Sequence, residues 1–448
     1  MLNNARLVQL AKFGLPIILV IWVLVYMTSS REAYTTIVKT HFKSEKDKFI
    51  SDFLDNDVGG DFDGSGIAQV CAQKTWTPGL ILSCVPVDGG FEKVKNAHLS
   101  CIRFAMEMGA ELVLPRIVKR DSKDIKITRP KNGNGPYVGE PLDYLFDLEH
   151  LNQTLHRTCP QMKIYRSMDD LWDVPQVSPP KKISLSAVEV GLTNGTVIED
   201  MGELKEQIKT FIEKTAPAEI RHMPIRFDLD VTNWAFPTAY DGPVFANNFG
   251  RVLRPRKDAR LLAAVALYNL QKRYGVIGYP SRNIQNNRFA GVHLRTESDA
   301  AGVNGFPNYD TQSANMLGFV HDVEARLVFV ATGTTDKEKK AFAEKAQEFN
   351  MTAVFKNELL EDEGLMLLDE MTWDQRALVD YEIMLRAGKV VGPVETSFTW
   401  NLALTRSLVP GASERPAPVG GLFQYRDKYS TIIGNSDRGF ALKATIWP

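Results

Sequence analysis

The sequence predicts an α/β fold of two doubly wound, Rossmann-like domains facing a cleft, with an N-terminal transmembrane helix ahead of them. Three observations predict this. Short buried apolar runs alternate with helical stretches in both halves of the chain. At 448 residues the chain exceeds what one hydrophobic core organises comfortably. Phe13 to Met27 is an uninterrupted apolar run of 15 residues, preceded by Arg6 and Lys12.

Taken in order, residues 1–12 read as a cytosolic tail and 13–29 as a single-pass anchor. The apolar run is short for a span, but Leu7 to Ala11 is mostly apolar and Lys12 can snorkel, and no A-x-A cleavage pattern follows. Everything after the anchor is then expected in the secretory lumen, with the protein a type II membrane protein. Residues 30–69 are charged and glycine-bearing without a sustained apolar period, which predicts a stem. Cys71, Cys84, Cys101 and Cys159 all follow it, as two disulfides of a luminal protein would, and spacing leaves three connectivities open. Asn152, Asn194 and Asn350 begin glycosylation sequons.

The first domain is read over 70–280. Leu80 to Val87 is a buried strand and Asp88-Gly89-Gly90 breaks it. A helix follows from Phe91 to Met108, Gly109 stops it, and Glu111 to Ile117 is the next strand. This βαβ order places the Asp88 to Phe91 turn over the carboxyl edge of a parallel sheet. Val118 to Pro180 is polar and proline-rich and is expected to be surface excursions with one helical patch, Leu142 to His156. A helix over Glu203 to Lys214 and a strand over Ile225 to Asp230 lead to an aromatic loop from Asn233 to Arg251. Asp258 to Arg273 is an amphipathic helix bridging to the second half.

The second domain, 281–448, is more regular. Strands are expected at 289–294, 326–331, 352–355 and 389–392, with helices at 309–324, 336–349 and 374–387 between them. Two such sheets facing each other would set their carboxyl-end loops across one cleft, where a nucleotide-sugar would lie.

A net charge of -1 with interspersed signs excludes a nucleic-acid-binding surface. The chemistry-bearing residues gather at two strand ends instead. Alternation along the 289–294 strand puts His293 and Arg295 on one face, with Glu297 just beyond. After the 389–392 strand, Thr396 and Ser397 open a helix whose hydroxyls and free backbone N–H groups suit an anion. A cation and a helix start at the ends of strands in one sheet can meet on a diphosphate. Asp228-Leu-Asp230 has the spacing of a metal-holding acidic pair but follows no long buried strand, so no metal site is expected.

These stretches resemble the GDP-fucose O-fucosyltransferase family, in particular its membrane-anchored fungal-type members. The resemblance rests on G-V-H-L-R-T-E at 291–297, on V-D-G-G-F at 87–91 with its following helix and L-V-L-P strand, and on V-D-Y-E-I-M-L-R leading to G-P-V-E-T-S-F-T-W-N over 379–401. It implies a GT-B fold and an inverting, metal-independent transfer of fucose from GDP-fucose to a hydroxyl, without a cofactor, in the Golgi or endoplasmic reticulum membrane. Arg295 would grip the donor's diphosphate with His293 beside it. Gly89, Gly90, Thr396, Ser397 and Phe398 would complete the donor site, with Glu297 beside the chemistry. An inverting displacement wants a base on the opposite face, and Asp88 is the first candidate, with Glu92 second. The family's usual Gly-Asn pair is replaced here by Glu92-Lys93. That departure keeps open a second reading, a catalytically inactive luminal protein that binds a sugar nucleotide or a glycan.

Overall fold

The computed structural model describes residues 44–121, 125, 139–171, 181–185, 200–215, 225–229, 236–276, 284, 289–297, 300, 306–412, 423–434 and 438–448. The expected anchor over 13–29 and the sequon at Asn194 lie outside the described residues. Among those residues no helix is long and apolar enough to cross a membrane.

Two sheets form within the compact unit Asp52–Pro448. In the first, β1 (Leu80–Cys84) lies at the centre, with β2 (Glu111–Val113) and β3 (Ile164–Tyr165) on one side. On its other side lie β5 (Ile225–Leu229) and β4 (Lys181–Leu185), and every pairing is parallel. The Phe91–Met108 helix follows β1 as the sequence predicts, because Gly90 opens it and Gly109 closes it in the left-handed region at φ 61°. Gly109 is also packed on the backbone at Thr75, where a Cβ would sit 1.9 Å from the carbonyl oxygen. β1 and β2 are shorter than expected: beyond Cys84 and Val113 only an isolated bridge, Val87 to Ile117, continues the pairing.

The second sheet has β6 (Ala290–His293) and β9 (Lys389–Pro393) side by side at its centre. β7 (Leu327–Ala331) and β8 (Thr352–Val354) extend it beyond β6. Beyond β9 lie β11 (Ser430–Ile433) and antiparallel β10 (Phe423–Arg426), a pair that no sequence signal had indicated. β7 is buried at every position and β6 likewise, which explains their unbroken apolar runs. The helices Tyr309–Asp322, Asp336–Glu348 and Trp373–Met384 start at capping side chains, Asn308, Thr335 and Thr372, each accepting a backbone N–H three residues on.

The stem expectation needs correction from residue 52 onward. Phe53, Val58 and Ile67 are buried in the body, and Asp57 receives the Arg260 guanidinium at 3.1 Å. These apolar residues come singly, so no periodicity betrays them, and the Phe53 ring lies 3.6 Å from the guanidinium carbon of the remote Arg386. The Ser65–Ala72 helix is pinned by the Cys71–Cys159 disulfide, and Cys84–Cys101 ties β1 to its following helix. The aromatic loop holds a short helix, Pro243–Phe249, whose Phe245 and Phe249 pack on Trp447 from the other end of the chain. Asn96 accepts the Trp447 N–H and donates to the Thr445 carbonyl, so the chain's last residues return to the first half.

Candidate active site

Strand order reverses at β1 in the first sheet and between β6 and β9 in the second. Ligands of open α/β sheets bind beyond the carboxyl ends of strands at such reversals. A cavity of about 530 Å³ lies there, lined from one half by Gly89 to Lys93 and Arg120 and from the other by residues following β6, β7, β8 and β9. That volume suits a small-molecule ligand.

The β6 end delivers His293 and Arg295. The Arg295 backbone is held by buried Gln312, which accepts its N–H at 3.0 Å and donates to its carbonyl at 2.7 Å. Its guanidinium donates from Nη1 to Glu297 Oε2 at 2.5 Å, and Glu297 Oε1 accepts the Gly333 N–H at 2.6 Å. Glu297 thus aims Arg295 and fastens it to the β7 end. His293 is buried, and its Nδ1 shares a hydrogen bond with the Thr399 hydroxyl at 2.9 Å. Burial, with Arg295 nearby, lowers its pKa to about 3. The imidazole is neutral at physiological pH, and Arg295 is the cation of this strand end.

The β9 end delivers the helix Ser397–Ser407. Thr396 caps it by accepting the Thr399 N–H at 3.0 Å, and the Phe398 ring lies 4.4 Å from that of His293. Gly392 makes this approach feasible, since a Cβ there would lie 2.5 Å from Thr399 Oγ1 and 3.0 Å from His293 Cβ. His293, Arg295, Glu297, Thr396, Ser397 and Phe398 therefore all line one cavity.

Gly89 and Gly90 reach it from the facing half, Gly89 at φ 120°. Asp88 does not join them. Its side chain is 56% exposed and paired with Lys93 at 2.9 Å, and it is absent from the cavity wall. Strand pairing fades before residue 88, so the turn points this side chain outward. Glu92 does line the cavity, and it is buried with Oε1 accepting no hydrogen bond. Burial raises its pKa well above the usual carboxylate range, while Lys95 and Arg120 pull it down.

Five further residues at the site carry no reading from sequence: Lys356, Asp380, Arg120, Asp374 and Trp373. Lys356 donates from Nζ to Asp380 Oδ2 at 2.5 Å, both in the cavity wall. Burial raises the Asp380 carboxyl to about 6 despite Lys356, and its Oδ1 accepts no hydrogen bond. Arg120 pairs with Asp374 across the cleft, and the Trp373 indole lies beside both Arg120 and Arg295. A charged residue at an apolar-face position of A-L-V-D-Y-E-I-M was the available signal for Asp380. None existed for Arg120, which sits in an irregular polar segment. Among the described residues no cluster of His, Cys, Asp or Glu could hold a metal ion.

No protein-family model matches the chain, and no curated protein matches it. Among solved structures it is similar to POFUT1 in complex with GDP, at 14% identity and a TM-score of 0.45, over 81% of this chain and 100% of that one. It is also similar to NodZ alpha-1,6-fucosyltransferase soaked with GDP-fucose, at 13% identity and a TM-score of 0.36, over 75% of this chain and 94% of that one. FUT1 of Arabidopsis thaliana in complex with GDP matches at 11% identity and a TM-score of 0.36, over 76% and 71% of the two chains. At scores this low the likeness decides nothing about this chain's chemistry, which has to come from the cavity itself.

Proposed function

We propose that the chain is an inverting glycosyltransferase of GT-B type that moves fucose from GDP-fucose to a hydroxyl acceptor. The observation that carries this reading is the convergence of Arg295 and the Ser397 helix start on one cavity at the strand ends of the two sheets. A bidentate cation and a helix amino terminus together complement a diphosphate and its departing charge. Lys356 and Asp380 favour guanine in the same cavity. Lys356 can donate to O6, while one carboxylate can take both N1–H and the N2 amino group; uracil offers only one such donor.

Glu92, not Asp88, is the base in this reading. It is buried in the facing wall with a free oxygen, and a carboxylate made basic by burial suits proton abstraction from a hydroxyl. Arg295 and the helix start supply the positive charge that a divalent cation supplies in other transferases, so the reaction is proposed to need no metal. The body is proposed to be luminal, carried by the apolar segment over 13–29, because its four cysteines pair as two disulfides. Asn350, exposed after the Asp336–Glu348 helix, and Asn152 would carry glycans there.

The test is a donor screen with the purified chain across GDP- and UDP-sugars, with and without EDTA, reading hydrolysis or transfer. GDP-fucose should be turned over fastest and EDTA should leave the rate unchanged. Tight GDP binding with no turnover of any sugar would leave the inactive-binder reading standing instead.

A further inference from the structure

Lys95 is a buried cation for which the reaction above has no use. It stands three residues after Glu92 on the Phe91–Met108 helix, so the two side chains are neighbours on one helix face. Glu92 is 3% exposed and Lys95 5%, and of the two only Glu92 lines the cavity. This stretch of the helix packs against the second half of the chain. Phe91 lies edge-on to Tyr381, and Asn96 bonds the backbone at Thr445 and Trp447.

A lysine is rarely buried without an opposite charge close by. Burial lowers the Lys95 amine to about 8, while Glu92, Glu382 and Asp57 hold it up and Arg251 opposes them. On Glu92 burial acts upward, its own backbone N–H, Lys95 and Arg120 act downward, and Asp374 acts upward again. Glu382 is already paired with Arg386 at 2.8 Å and Asp57 with Arg260 at 3.1 Å. Glu92 has no ion pair among the described residues, so it is the acid that depends on Lys95.

We propose that Lys95 is a positioning residue for Glu92, its ammonium the buried counter-charge that keeps the carboxylate ionised and ready for the acceptor's proton. The inference rests on the base reading above. No hydrogen bond joins the two side chains, so the ammonium acts through the interior, where charges are felt more strongly than in water. In the step it serves, the acceptor's O–H proton passes to Glu92 as the hydroxyl oxygen bonds the sugar carbon. The sugar–phosphate bond breaks with its electron pair leaving on GDP, and Lys95 keeps its own proton throughout.

The pH profile of GDP release from GDP-fucose by the full chain, with water as the acceptor, reads the charge state of Glu92. Lys95→Met should move the acid limb of kcat up by about one unit, which lowers the rate at pH 7 by up to about tenfold and restores it at higher pH. GDP affinity should stay within about twofold, since Lys95 is not part of the cavity wall. Lys95→Arg keeps the charge and should leave the limb in place, and Lys95→Gln serves as the neutral variant if the methionine variant melts. In a Glu92→Gln background Lys95→Met should add no more than about a twofold loss, because no carboxylate remains for it to support. An unmoved acid limb in a folded neutral variant, or an equal shift in Lys95→Arg, overturns the inference and leaves Glu92 as the base. A silent Glu92→Gln overturns the base reading and this inference with it.

Discussion

The two walls of the cleft are built on different principles. On the β6–β9 wall the strand-end groups are held by partners: Glu297 and Gln312 hold Arg295, and Thr399 holds His293. The glycine-turn wall instead presents one buried carboxyl with an unused oxygen, Glu92, while Asp88 turns away from the cavity to Lys93. On the proposed reading, the first wall binds and the second reacts. Groups whose hydrogen bonds are already made can hold a ligand without reorganising. A buried group left unsatisfied costs stability and is kept where chemistry uses it.

The comparison breaks most sharply at Arg295. Arg295→Ala should lower turnover by about a hundredfold or more, since removing one preorganised donor costs on the order of 3 kcal/mol in the transition state. Arg295→Lys should recover little of it, because the fork that meets both Glu297 and a phosphate is lost. A folded alanine variant with near-full turnover would move the binding wall elsewhere.

On the opposite wall, Glu92→Gln should leave GDP affinity within a few fold and lower transfer by roughly a hundredfold. Asp88→Asn should change neither, given its exposure and its pairing with Lys93. If Asp88→Asn proves the damaging change and Glu92→Gln the silent one, the turn rearranges on ligand binding and the assignment reverses.

The smallest effect sharpens the base-reading end of the binding wall. Burial raises the Asp380 carboxyl to about 6, so its folded value lies above the unfolded one near 4. The ionised carboxylate therefore costs stability at pH 7, and the fold gains as pH falls through 6. Donor binding should move the other way. GDP affinity is expected to weaken several-fold between pH 7 and 5, with no such step in Asp380→Asn. The His293 ring, lowered to about 3, adds nothing in this window.

The C-terminal half was the more legible in sequence, because β6, β7 and the core of β9 are short apolar runs bounded by a polar or glycine break, unlike β10 and β11. Alternation along β6 is enough to put His293 and Arg295 on one face, and helix-start chemistry is enough to mark Thr396 and Ser397. The Phe91–Met108 helix was equally plain, since its glycine stop and its apolar stripe agree. Such features are local: they depend on neighbours one to four residues away, and a linear reading holds all of those.

Only the tertiary structure decided which carboxylate faces the cavity, because Asp88 and Glu92 stand only four positions apart and the turn's path, not its composition, aims them apart. Only it joined Arg120 to Asp374 and Lys356 to Asp380, pairs 254 and 24 positions apart that share no pattern. Only it drew Phe53, Val58 and Trp447 into the body. Buried charges need partners, and isolated apolar residues need a surface to cover; both needs are met through space, where a sequence has no ruler.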